Sequence, residues 1–226
     1  MIPVRLAHRV TDGPGGPPVV LLHGLGETAG TWERFALELA GSRASIALDL
    51  RGHGASPWPG VYTVDAMVDD VVAFLSDAGP VDVVGHSMGG HVASVLAARR
   101  PVRRLVLEEA PVPPRDGDAL PDVPPARPPE PLNFDWDVVA PMRRALRAPN
   151  PRWWQGVERL ATPTLWISGG PTSHLDPAHV AEAAAAMPNA TTATIPVGHL
   201  VHDDAPDEFA RLVVPFLSAD GETPTP

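Results

Sequence analysis

Short runs of aliphatic residues alternate along the chain with longer stretches in which apolar positions recur every three to four residues. The runs 19–22, 44–48, 81–84, 102–107, 164–167 and 191–195 are mostly β-branched or aliphatic, as strands buried on both faces should be. Residues 5–10 add a candidate antiparallel edge strand. Between these runs, residues 31–40, 64–77, 87–99, 178–187 and 206–217 carry helical patterns. Gly41 and Gly79 stop two of them. Asp176-Pro177 opens another, a capping carboxylate followed by a proline whose missing N–H costs nothing in the first turn. Regular alternation of strand and helix predicts an α/β fold, a mainly parallel sheet flanked by crossover helices.

One segment breaks this rhythm. Residues 111–131 are crowded with proline and can run neither as a helix nor as a central strand. Trp136 to Arg147 reads as a short amphipathic helix, and Pro149-Asn-Pro-Arg-Trp-Trp154 follows before the next strand. Residues 111–155 are therefore expected to form a small lid inserted in one domain spanning 1–217. Trp136, Trp153 and Trp154 are its candidate pocket-lining residues, with packing against the core as the plainer alternative. The polar, proline-rich tail 218–226 is expected to be disordered.

Composition narrows the function. With 226 residues, 44% of them hydrophobic, the chain can bury one sizeable core. A net charge of −10 and the lack of any Lys/Arg-rich run argue against nucleic acid or an anionic membrane as partner. The absence of cysteine rules out disulfides, thiolate metal sites and a cysteine nucleophile. No basic leader with an apolar core opens the sequence, and no apolar run reaches membrane-spanning length, so a soluble, cytoplasmic protein is expected. No motif calls for a metal or organic cofactor, and nothing in the sequence reports the oligomeric state.

The chemistry concentrates in a few motifs. Val81-Asp-Val-Val-Gly85-His86-Ser87-Met88-Gly89-Gly90 places Gly-x-Ser-x-Gly between a buried strand and a helix, the context that a nucleophilic serine on a sharp strand-to-helix turn requires. Near the other end, Val197-Gly198-His199 follows the last strand and precedes the last helix. An imidazole there suits both taking and returning a proton.

On these motifs the sequence resembles the α/β-hydrolase superfamily, over nearly the whole chain from Val4 to Leu217. The resemblance implies Ser87 as nucleophile and His199 as general base. It also implies that Val19-Val-Leu-Leu-His23-Gly24-Leu25 is the strand-His-Gly segment of that family, so that the backbone N–H groups of Leu25 and Met88 form the oxyanion hole. Asp49-Leu-Arg51-Gly52-His53-Gly54 is similar to a scaffold loop of the superfamily. His53 is thus structural, and His202 is read as a packing or capping residue.

The third member of a triad is harder to find. Most of the superfamily carries an aspartate a few residues after the penultimate strand, where this chain reads Ser168-Gly-Gly-Pro-Thr172-Ser173-His-Leu-Asp176. Asp176 falls several residues late and already caps a helix. Haloalkane-dehalogenase-like relatives place the acid at the end of the strand after the nucleophile's helix, here Leu107-Glu108-Glu109. Alternation along a strand lets at most one glutamate face the histidine. Glu108 matches that pattern better and is the expected acid, with Glu109 and Asp176 as alternatives. Dehalogenation itself is not implied, because those enzymes use an aspartate nucleophile. The expected activity is hydrolysis of a small carboxylic ester, thioester or lactone through an acyl-enzyme. Acyl transfer, perhydrolysis, carbon–carbon hydrolysis and ligand binding without turnover are the competing expectations.

Overall fold

The computed structural model describes residues 2–218. The expected tail lies outside them except for Ser218, which ends the last helix. In chain order the elements are β1 (His8–Thr11), β2 (Val19–Leu22), α1 (Glu33–Leu39), β3 (Ser45–Leu48), α2 (Val64–Phe74), β4 (Asp82–His86), α3 (Met88–Ala97) and β5 (Arg104–Glu108). They continue with α4 (Val139–Arg147), α5 (Pro151–Glu158), β6 (Thr164–Ser168), α6 (Pro177–Ala186), β7 (Ala190–Thr194), α7 (Val201–Asp204) and α8 (Pro206–Ser218).

The strands form one seven-stranded sheet in the order β1-β3-β2-β4-β5-β6-β7. β1 runs antiparallel to β3, and every other pair is parallel. Because side chains alternate along a strand, the aliphatic runs fill both faces. Val20, Leu22, Val83, Leu105 and Leu107 join Met67, Val71, Val92 and Leu96 of α2 and α3 in one buried cluster. Val19, Leu21, Val84, Val106 and Ile167 join Phe35, Leu39, Phe209 and Val213 of α1 and α8 in the other.

At the crossing of β4 and α3, close approach dictates composition. A Cβ on Gly89 would lie 2.3 Å from the Leu22 carbonyl oxygen, and one on Gly85 would lie 2.5 Å from that of Gly89. Neither position accepts a side chain, so the strand, the turn and the helix pack backbone to backbone.

Between β5 and β6 the chain leaves the sheet. The proline-crowded stretch is largely exposed coil, and α4 and α5 follow it. The sequence reading did not assign α5, although Asn150-Pro151 caps it as Asp176-Pro177 caps α6: the Asn150 side chain accepts from the Trp153 N–H at 3.0 Å. Trp153 and Trp154 are buried. Trp153 donates from Nε1 to Ser94 Oγ on α3 (2.8 Å) and stacks on His91, while Trp154 donates to the Pro113 carbonyl (2.9 Å). Both tryptophans pack into the core beneath the insertion, the plainer of the two readings that the sequence left open. Among the described residues no helix is long and apolar enough to cross a membrane.

Candidate active site

The carboxyl ends of β2, β4, β5 and β6 meet at one edge of the sheet, where ligands of open parallel sheets bind. Ser87 follows β4 with a φ of 49°, a conformation that costs a non-glycine residue of order 1–3 kcal/mol and persists only where the surroundings impose it. Here they do. The Ser87 N–H donates to the Glu108 carbonyl at 2.9 Å, and α3 starts at the next residue. As the first residue of α3, Met88 has an N–H with no intrahelical acceptor. Leu25 lies in the turn after β2, the strand that pairs with β4.

His199 sits in the loop between β7 and α7. Its Nε2 is 2.9 Å from Ser87 Oγ, and its Nδ1 is 3.0 Å from Glu109 Oε2. Glu109 therefore completes the chain of hydrogen bonds, and the expectation that Glu108 would do so is corrected. The cause is strand parity. Glu108 ends β5 on the same face as Val106, the face covered by α1 and α8, and there it accepts from the N–H of His202 and from His202 Nδ1 at 2.8–2.9 Å. Glu109 lies beyond the strand with a φ of 47°. That turn breaks the alternation and swings its side chain over the sheet edge toward His199.

The loop after β6 has exchanged roles. It supplies no acid to His199, but Gly169 N–H and Ser173 Oγ both donate to the Glu109 carboxylate. Burial opposes a charge on Glu109, yet the hydrogen bonds from His199, Gly169 and Ser173 outweigh it and hold its pKa below the usual carboxylate value. Asp176, the other alternative, caps α6 by accepting from Ala178 N–H at 2.9 Å.

His53 and His202 serve as scaffold. His53 accepts from Gly26 N–H (3.2 Å) and its Nδ1 faces the Arg51 carbonyl (3.1 Å), while burial, aided by His23, depresses its pKa to about 3. As a neutral ring it shores up the turn that carries Leu25. His202 stacks on Trp32, with ring centroids 4.2 Å apart. Glu27, His86 and His202 stand close together, but the facing atoms already hydrogen-bond one another, Gly24 N–H and Thr31 Oγ1, so no metal site is assigned there.

A cavity of about 230 Å³ flanks the site between the insertion and α6. Its lining includes Ala110, Val112, Leu146, His174 and Val180, and the His174 ring lies 4.1 Å from that of His199. A larger cavity of about 470 Å³ is lined by α2, α3 and α5, and neither cavity has Ser87, His199 or Glu109 in its wall.

Comparison with known proteins bears on the family and the fold. Residues 19–212 match the model of the alpha/beta hydrolase family. The chain is 28% identical to the sn-1-specific diacylglycerol lipase ABHD11 of Mus musculus over 96% of its own length and 86% of that protein's. It is 49% identical to Lipase LipV of Mycobacterium tuberculosis, but there the match covers only 42% of this chain and 38% of the lipase. Similarly, 41% identity to a 2-hydroxymuconate semialdehyde hydrolase of Pseudomonas covers 42% of this chain and 37% of that enzyme. Among solved structures, a hydrolase from Pseudomonas aeruginosa superposes with a TM-score of 0.81 at 25% identity, covering 96% of this chain and 95% of that one. With the sheet order, the strained serine turn and a family match spanning β2 to α8, the chain belongs to the α/β-hydrolase family.

Proposed function

We propose that this protein is a serine hydrolase that cleaves a small carboxylic ester, thioester or lactone through an acyl-enzyme on Ser87. The observation that carries the reading is the unbroken hydrogen-bonded series Ser87–His199–Glu109. In this scheme His199 Nε2 takes the Ser87 proton as Oγ attacks the acyl carbon, and then returns it to the leaving alkoxide, thiolate or lactone oxygen. Glu109, ionised and fixed by three donors, keeps the Nδ1–H tautomer in place and balances the imidazolium as it forms. The N–H groups of Leu25 and Met88 receive the oxyanion. Water activated by His199 releases the acid and restores Ser87.

A second reading, cleavage of a carbon–carbon bond at the same site, draws on the similarity to the semialdehyde hydrolase. The test is turnover of p-nitrophenyl acetate, butyrate and octanoate together with labelling by a fluorophosphonate. Turnover of at least one of these esters and uptake of the label are expected, and both should vanish in Ser87→Ala. Wild-type protein that neither turns over an ester nor takes up the probe on Ser87 would refute it.

A further inference from the structure

Behind the Ser87–His199–Glu109 series lies a second series that the hydrolytic scheme does not use. Glu27 stands two residues beyond Leu25. Its Oε2 accepts from Gly24 N–H at 2.8 Å and lies 3.1 Å from Nδ1 of His86, the residue before the nucleophile. His86 is buried, and its Nε2 is 2.9 Å from the backbone carbonyl oxygen of His199. A carbonyl oxygen only accepts, so Nε2 carries a hydrogen. An ionised carboxylate also only accepts, so Nδ1 carries one too. An imidazole held on both sides by acceptors is an imidazolium. A neutral His86 protonated on Nε2 would set its Nδ1 lone pair against the Glu27 carboxylate.

We propose that Glu27 and His86 are positioning residues of the hydrolytic site, an ion pair that fixes the His199 loop and the Gly24–Leu25 turn in their working positions around Ser87. The proposal rests on the reading of Ser87 as nucleophile. Its force comes from where the atoms land. Glu27 binds the backbone beside the oxyanion donor, His86 belongs to the nucleophile's own turn, and the His199 contact is to its peptide, leaving the ring free for Ser87 and Glu109.

The charged and titratable groups around His86 are consistent with an ion pair. Glu108 faces it from β5, the His202 ring from α7 at 5.0 Å, the His199 ring at 4.8 Å and His23 from the end of β2. Burial opposes the charge on His86, but Glu108, Glu27 and the His199 carbonyl outweigh it and raise its pKa to about 9. Burial likewise opposes the charge on Glu27, and His86 with Gly24 N–H overcomes it and draws the pKa down to about 2.

The test uses the full chain as wild type, His86→Ala, His86→Gln and Glu27→Gln. The readouts are ring ¹⁵N NMR at neutral pH, the rate of Ser87 phosphonylation, kcat and KM for a p-nitrophenyl ester, and thermal unfolding as a check on folding. Both His86 ring nitrogens should be protonated in wild type, the signals being assigned by their loss in His86→Gln. Phosphonylation and kcat should fall ~100-fold in His86→Ala, the scale of a misplacement of about 1 Å, with KM within about threefold. His86→Gln, whose amide can still donate to the His199 carbonyl, should recover about tenfold of that loss. A singly protonated His86 ring in wild type overturns the ion pair, and that observation needs no variant. Folded His86 and Glu27 variants that label at the wild-type rate overturn the positioning role alone. A wild type that takes no phosphonate removes the serine-hydrolase reading and the positioning role with it.

Discussion

At the scale of single residues, the site turns on a one-residue offset. Ser87 and His199 were legible as a pair because each stands in a sequence context that physical chemistry restricts: glycines around a serine that must occupy positive φ, and a histidine in a glycine-led loop after the last strand. The carboxylate that joins them was not. Glu108 and Glu109 are chemically identical, and the sequence carries no mark of where β5 stops. Their roles are set by the φ of 47° at Glu109 and by the donors from Gly169 and Ser173, which belong to a loop sixty residues away in the chain. Thr172 and Ser173, where most of the superfamily has an aspartate, were the available clue. A loop that lacks its own carboxylate but offers a hydroxyl is suited to hold one supplied from the neighbouring strand. The Glu27–His86 pair was invisible for the same reason, since its partners meet only when β2 and β4 pair.

At the scale of elements, capped helices were read well and the insertion poorly. Thr63 accepts from Ala66 N–H at the start of α2, and Asp176 accepts from Ala178 N–H at the start of α6, so local code and tertiary structure agree. Asn150-Pro151 spells the same code, yet the surrounding prolines obscured α5. That helix is held chiefly by its tryptophans. Replacing Trp153 with alanine removes the hydrogen bond to Ser94 and the stack on His91 and should cost about 3–5 kcal/mol, read as a lower urea midpoint at unchanged slope. A loss below ~1 kcal/mol would mean that α5 is a loosely held flap. α7 is too short, at four residues, to announce itself by periodicity.

At the scale of the whole molecule, strand alternation revealed the architecture while the spatial order of strands came only from pairing. The buried histidines also divide by charge, with a consequence for stability. Burial lowers the pKa of His53 to about 3 and of His91 to about 4. A group whose folded pKa lies below its unfolded value of 6.5 stabilises the fold above pH 6.5, and this contribution is lost as pH falls toward the folded value. His86 behaves oppositely: with a pKa raised from 6.5 to about 9, its contribution is complete below 6.5 and lost as pH rises through about 9. Glu27, lowered from 4.5 to about 2, contributes fully above 4.5 and loses its contribution as pH falls through about 2. The pair is therefore worth most between pH 4.5 and 6.5. The difference in Tm between wild type and the double variant Glu27→Gln/His86→Gln should be greatest in that window and shrink as pH approaches 9. A difference that stays flat over this range would mean that His86 is neutral in the fold.

The central claim is that Ser87, His199 and Glu109 work as one hydrolytic unit. Converting the acid of such a unit to its amide leaves the shape intact but removes the charge and disturbs the histidine tautomer, a change worth up to ~10⁴ in turnover in serine proteases. The most direct measurement is kcat for p-nitrophenyl butyrate in Glu109→Gln beside Glu108→Gln. The account predicts a fall of roughly 10²–10⁴ for Glu109→Gln and less than about tenfold for Glu108→Gln. The reverse order, or equal and small effects, would contradict it.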